Sequence, residues 1–446
     1  MEITFAGSII IPLVVLISIL EIKYILPLAI ILHIFQGVSV LNIHGSNYYS
    51  LSVYHFILIF ITFHFFIRRK FFLKNFIYNK FLKILYIFLI WSIIITIVGP
   101  LVFDGVGVYN PRIGMDDQYN NLSNLSFSAG NLSQLFYILM NISFLAFGII
   151  HASLFSKKLI IKSYIYSGII VVLFSFWQKI SFIYNIYYPA EILYSNISLE
   201  QVREFNIRLS STFSEPSLLN GFMVPFLFFI YKYEDINRYK KYIIIISILT
   251  ILIWSESSTG VLSIILMSAL IYFIKQKNYV INIKFLFKFA VFILSLFIIS
   301  YEYNDFFVKT ILDKGDTLSA VYRFAADEHS IILLINTFGI GVGLGSNRPS
   351  SFITLLLSTL GILGIILISC LIYMQLKLSL NLLIKKYKLI PFIYLFISTL
   401  FPMFIGIPDV DFQVLWVNWM ILAFITCVSY HNIKNLNGRV INEDRI

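Results

Sequence analysis

Residues 323–364 read RFAADEHSIILLINTFGIGVGLGSNRPSSFITLLLSTLGILG, and this stretch decides the fold. A polar segment passes into a long apolar run through a glycine-rich turn, Gly339, Gly341, Gly343 and Gly345, with Arg323 before it and Arg348 just after. On either side, the chain alternates between apolar runs and short basic loops. Several runs exceed about 18 apolar residues, enough to cross a hydrocarbon core of about 30 Å. The composition agrees, with 59% hydrophobic and only 12% charged residues, where soluble domains carry roughly a quarter charged residues. A closed barrel would show short alternating strands instead. The pattern predicts an all-α polytopic membrane protein.

Apolar runs predict helices over residues 8–20, 25–41, 51–67, 84–103, 134–155, 163–178, 217–231, 242–254, 260–274, 286–300, 350–374, 390–407 and 412–430. That makes about 13 membrane helices, with 12 or 14 within the reach of boundary shifts, all in one integral domain over residues 1–446. The first run lacks a basic leader and a small-residue cleavage site, so it reads as a membrane helix rather than a removed signal peptide. Cys370 and Cys427 fall inside apolar runs and form no disulfide or redox framework.

The net charge of +11 comes from the loops. About 25 of the 33 Lys and Arg occupy every second loop, as in Arg68–Arg69–Lys70, Lys157–Lys158 and Lys240–Lys241. By the positive-inside rule, those loops are cytoplasmic and the amino terminus lies outside. Clustered in this way, the positive charge calls for no nucleic acid. Asp and Glu concentrate in the other set of loops, of which 104–133, 179–216 and 301–349 are long enough to hold a site.

Arg203, Arg208, Arg323 and Arg348 all fall in these outer segments. Arginine is a permanent planar cation that grips phosphate oxygens in pairs, although each of the four also reads as a loop arginine paired with a neighbour such as Glu204 or Asp327. Glu215, in Ser-Glu-Pro, suits either a helix cap or a general base. His329 reads as a base, a sugar ligand or simply a polar residue at a helix end. Asp409 and Asp411, between the last two helices, read either as lining the same outer cavity or as capping the final helix, and the cap is the favoured reading. The glycines at 339–345 are expected to allow a tight turn that brings backbone against a neighbouring helix. The seven His are scattered, so no metal site or cofactor is expected.

Three stretches carry a resemblance: RLSSTFSEPSLLNG (residues 208–221), SESSTG (255–260) and RFAADEHSIILLINTFGIGVGLGS (323–346). In order and spacing they resemble the bacterial O-antigen and capsular polysaccharide polymerase family, which is related to the O-antigen ligases. The likeness spans roughly residues 200–370. It implies a GT-C-like helical bundle in the bacterial cytoplasmic membrane, with its active site facing outward. It also implies a metal-independent glycosyltransferase that moves a growing glycan from undecaprenyl pyrophosphate to the terminal sugar of a new lipid-linked repeat. By similarity, Arg208 and Arg323 would bind the donor pyrophosphate, with Glu215 and His329 as further catalytic candidates. Arg203, Arg348, Ser211 and Ser350 are candidates for substrate binding. Membrane lipid is the surrounding partner, and a chain-length regulator and a flippase are further candidate partners.

One departure matters. The ligases carry a His, then Asn, Ser or Gln, then a glycine ten residues beyond that second residue. Here Ser350 stands in the histidine's place before Ser351 and Gly361, which favours a polymerase over a ligase. A lipid-linked oligosaccharide flippase is the alternative from another class. It should show ionisable residues or broken helices deep in the bilayer. Beyond His33, His55 and His64, the apolar runs carry few ionisable groups.

Overall fold

The computed structural model describes residues 1–44, 49–68, 77–111, 113, 118, 121–197, 208–275, 318–383 and 389–443. Arg203, Glu204 and the helix expected over 286–300 lie outside the described residues. The protein is mostly helical. In chain order come β1 (Glu2–Ile3), α1 (Phe5–Leu20), α2 (Ile25–Leu32), β2 (Ser39–Ile43), β3 (Tyr49–Ser52), α3 (Val53–Ile67) and α4 (Asn79–Val102). Then follow β4 (Gly107–Val108), β5 (Ser123–Asn124), α5 (Ala129–Ile150), α6 (Lys157–Tyr184), the one-turn α7 (Ala190–Leu193) and α8 (Pro216–Lys232). The chain closes with α9 (Arg238–Trp254), α10 (Ser258–Lys275), α11 (Leu318–Asn336), α12 (Phe352–Leu383), α13 (Ile390–Gly406) and α14 (Gln413–Glu443).

Among the described residues, five helices (α4, α5, α6, α12 and α14) are long and apolar enough to cross a membrane. The 24 residues of α4 give a rod of about 36 Å. Its Phe81, Leu82, Leu85, Phe88, Ser92 and Ile95 are buried, whereas Ile87, Ile90, Ile94, Ile97 and Leu101 are exposed at helical spacing. One face packs on protein and the other suits lipid. α14 is the most enclosed, with Trp416, Trp419 and Phe424 fully buried, and it packs against α5, α12 and α13.

Three sequence expectations change. The helix expected over 25–41 stops at Leu32, because the chain turns through residues 33–38 into the extended Ser39–Ile43. Strand β2 then pairs antiparallel with β1 and β3. At Gly37, a side chain would collide with the Leu193 carbonyl, at 2.6 Å from an added Cβ. The polar stretch before the glycine turn, expected as loop, is the helix α11. Its Ala326, Ser330 and Leu333 are buried while Phe324, Ile331 and Ile335 are exposed. The long apolar run after the turn is interrupted at Gly361, whose φ of 67° and ψ of −167° break α12.

The glycine turn fills that break. Gly339, Gly341, Gly343 and Gly345 all have positive φ, which other residues adopt only with strain. Val342 and Gly343 donate their N–H groups to the carbonyls of Ser358 and Thr359, both at 2.8 Å, and Ile362 donates to Gly339 O at 2.9 Å. The indole Nε1 of Trp91 on α4 donates to the freed Leu360 carbonyl at 2.9 Å. An added Cβ at Gly343 would sit 2.7 Å from Thr96 Cα. The turn therefore docks backbone to backbone on α4 and α12.

Segments that the charge rule places on one common side meet at one end of the bundle. The Ser39 hydroxyl bonds Ser195 O at 2.8 Å, Asn131 bonds Leu344 O and Ser346 Oγ, and Arg348 N bonds Tyr109 O. This loop end carries the candidate site.

Candidate functional site

Residues 208–215 are stapled to the protein before they reach the site. Leu209 and Phe213 are buried, and the Ser210 and Ser211 N–H groups share Gln178 Oε1 at 3.1 and 2.6 Å. Tyr188 and Tyr194 donate their hydroxyls to Ser211 O, and Thr212 Oγ1 donates to Ile34 O at 2.6 Å. Ser211 is thus fully enclosed, with its own hydroxyl on Val171 O at 3.1 Å. In the structure its backbone and hydroxyl are engaged in anchoring this segment.

Arg208 emerges from this anchor and donates through Nη2 to the Glu256 carbonyl at 2.8 Å. Glu256 sits with φ of +48° in the turn from α9 to α10, inside the SESSTG stretch. Burial holds the Arg208 guanidinium's proton affinity below its usual value. The like charge of Arg323 works in the same direction, and Glu256 and Glu215 oppose it. Four charges from three segments therefore share one neighbourhood. Glu215 precedes Pro216 at the first helical position of α8 and receives the Ser217 hydroxyl at 3.2 Å. It caps no backbone N–H of α8 with its side chain.

The side chain of Arg323 reaches from α11 across to α13. Its Nη1 comes within 4.0 Å of the position of an added Cβ on Gly406, and Thr259 Oγ1 lies 3.1 Å from the same point. Gly406 therefore lies beside both the Arg323 guanidinium and the start of α10. α8 and α10 both begin at this end of the bundle, so the positive ends of their backbone dipoles face it as well. Among the described residues, Arg208, Arg323 and Arg348 make no ion pair within 4 Å.

Asp327 ties α11 to the start of α12. It accepts the Ser350 N–H at 2.8 Å, the Ser350 hydroxyl and the Thr354 hydroxyl at 2.6 Å. Ser350, in the ligase histidine's place, is thereby committed to a structural bond. His329 points another way, with Nε2 on the Gly107 carbonyl at 2.8 Å and its ring edge-on to Tyr109 at 5.6 Å. It ties β4 to α11.

Asp409 and Asp411 connect the remaining charges. Burial raises the Asp409 carboxyl above its ordinary value; Arg348 pulls it down and Glu215 pushes it up. Asp411 is pushed up to about 7 by burial and by Asp409, against its own backbone N–H and Arg348. The capping role expected of this pair is not taken up: neither carboxylate accepts a hydrogen bond from the first turn of α14. Among the described residues, no group of His, Cys, Asp and Glu is arranged to hold a metal ion.

The structure thus unites Arg208, Arg323 and Glu215, and links Arg348 to them through Asp409. It draws Ser211, Ser350 and His329 into structural bonds. Sequence reasoning passed over Thr259, the Glu256 turn and the Asp327 tie, although SESSTG held the first two. Compared with protein-family models and with curated proteins, the chain matches none.

Proposed function

We propose that this protein is a polysaccharide polymerase that transfers a growing glycan from a polyprenyl pyrophosphate to the terminal sugar of a second lipid-linked repeat. One observation carries the reading. Two guanidinium groups, from segments more than a hundred residues apart, stand as neighbours with no ion-pair partner among the described residues. Glu256 and Glu215 temper the like charges from a distance but pair with neither guanidinium within 4 Å, which leaves both forks open to an anion, and a pyrophosphate suits two planar forks. As the glycosyl bond breaks, negative charge builds on the departing pyrophosphate. Fixed cations aimed at that charge stabilise the transition state without reorganising. Arg208 is well suited to this, because its backbone is stapled and its Nη2 is fixed on Glu256 O.

Ser350 supports polymerase over ligase, since its hydroxyl is bonded to Asp327 and supplies no imidazole. The break in α12 is the feature a flippase would use. Here the carbonyls of Ser358, Thr359 and Leu360 and the Ile362 N–H are taken up by the glycine turn and by Trp91.

Binding of undecaprenyl pyrophosphate and undecaprenyl monophosphate to the protein in lipid nanodiscs tests the reading. Charge-assisted hydrogen bonds are worth about 1.5–3 kcal/mol, so Arg208→Ala and Arg323→Ala should each weaken pyrophosphate binding roughly 10- to 100-fold. Equal affinity for the two lipids, unchanged in both variants, would overturn the assignment.

A further inference from the structure

The polymerase reading leaves one chemical task unassigned. The attacking sugar hydroxyl must lose its proton as its oxygen bonds the anomeric carbon. Among the carboxylates at the loop end, Glu215, Glu256, Asp327, Asp409 and Asp411 are tied by charge or hydrogen bonds to the arginines or to the segment before α12. Asp327 is saturated by three donors from Ser350 and Thr354. Glu256 sits in the α9–α10 turn with its carbonyl on Arg208, and Glu215 holds the Ser217 hydroxyl. Asp409 and Asp411 accept no hydrogen bond from another side chain among the described residues.

The surroundings of this pair are also unusual. The charge of Asp411 reaches Tyr54 on α3 and Tyr137 on α5. Tyr54 donates to Asn141 Oδ1 at 3.1 Å, and His55 stacks on Tyr137 with ring centroids 4.1 Å apart. In this group, His55 Nε2 and Asn141 Nδ2 are buried with no hydrogen-bond partner among the described residues, as is Gln413 Oε1 two residues beyond Asp411. All three residues are more than nine-tenths buried. Buried polar atoms are ordinarily satisfied, so a run of open ones behind a pair of free carboxylates points to a hydroxyl-bearing ligand.

We propose that the Asp409–Asp411 pair is the proton acceptor for the attacking hydroxyl of the acceptor sugar. The inference rests on the polymerase reading. In the step, the hydroxyl oxygen bonds the anomeric carbon and its proton passes to the carboxylate pair. The bond from anomeric carbon to phosphate oxygen breaks, and its electron pair leaves on the pyrophosphate beside Arg208 and Arg323. No metal or co-reactant is required for the balance. The groups facing the pair are Arg348 from the segment before α12, Glu215 from the segment before α8, and Tyr54 and Tyr137 from α3 and α5. Two carboxylates that raise each other's proton affinity titrate as a unit rather than singly.

The test uses the full-length protein in nanodiscs, with lipid-linked repeat units extracted from a deletion strain. Chain extension is read between pH 5 and 9, and undecaprenyl pyrophosphate binding is read separately. Asp411→Asn should bind the pyrophosphate lipid within about threefold of wild type and extend chains at least 100-fold more slowly. Wild type should lose rate as the pH falls through about 7, because the acceptor becomes protonated. In Asp409→Asn, the residual rate should persist to lower pH, since Asp411 has lost its like-charged neighbour. Extension at the wild-type rate in both Asn variants would overturn the proposal, as would loss of lipid binding in step with activity. If wild type does not distinguish pyrophosphate from monophosphate, the polymerase reading itself fails, and the inference with it.

Discussion

Replacing Gly343 with alanine, with Gly105→Ala as a control, separates backbone strain from close approach. Both glycines have positive φ, +90° at Gly343 and +78° at Gly105. Alanine in that region costs about 1–2 kcal/mol, so Gly105→Ala, where an added Cβ meets nothing within 4 Å, should cost about 1 kcal/mol. At Gly343, the Cβ would lie 2.7 Å from Thr96 Cα and 3.0 Å from Ile95 O, all of it backbone. The turn must then lift from α4. That weakens the bonds from Gly343 N to Thr359 O at 2.8 Å and from Leu344 N to Thr96 Oγ1 at 3.0 Å. At about 1 kcal/mol per bond, with overpacking of about 1–3 kcal/mol, the close approach adds about 3–5 kcal/mol to the strain that the control also carries. Detergent-purified protein titrated with SDS and followed by tryptophan fluorescence reads the difference, because Trp91 is bonded to the break in α12 beside this turn. Equal destabilisation at the two positions would refute the claim that the turn is docked backbone to backbone.

Further outcomes follow from the same geometry. Asp327→Ala removes three bonds between α11 and the start of α12 and should cost about 2–4 kcal/mol, read in the same SDS titration; a loss below 0.5 kcal/mol would contradict the tie. His329→Ala should destabilise the attachment of β4 by about 1 kcal/mol, seen as faster proteolysis there, while chain extension stays within about tenfold of wild type; abolished extension would restore a catalytic role. Asp411→Asn should raise stability at pH 8 by about 4 kcal/mol and leave it nearly unchanged at pH 4. The sign follows because the folded carboxyl, at about 7, holds its proton while an unfolded one near 3.9 releases it. Native stability therefore falls as pH rises from about 4 to 7, and an asparagine escapes that loss. An Asn variant less stable than wild type at pH 8 would show Asp411 to be a structural anion.

How much of this was legible in the sequence depended on whether the partner was local. The glycines at 339–345 announced a close approach of backbone because no other residue suits four positive φ angles in seven positions. Arg208 and Arg323 stood out because charge is scarce in an apolar chain. The fate of His329 was hidden, since its partner Gly107 lies 222 residues away. Ser350 was equally opaque, because only folding brings Asp327 beneath it. The helix α11 was read as loop because Arg323, Asp327 and Glu328 broke its apolar run, although Ala326, Ser330 and Leu333 mark one buried face. The stop at Leu32 depended on Gly37 meeting a carbonyl from α7, a contact that no local pattern encodes.

Surface polysaccharide from a deletion strain, complemented with wild type, Arg208→Ala or Arg323→Ala and resolved on a gel, tests the central claim most directly. The account predicts that wild type restores the full ladder. Each arginine variant, at normal protein abundance, should leave only the single-repeat band. A full ladder from both variants would contradict the pyrophosphate assignment. Polymer stranded on its carrier lipid in the deletion strain would point to a ligase, and loss of even the single-repeat band would point to a flippase.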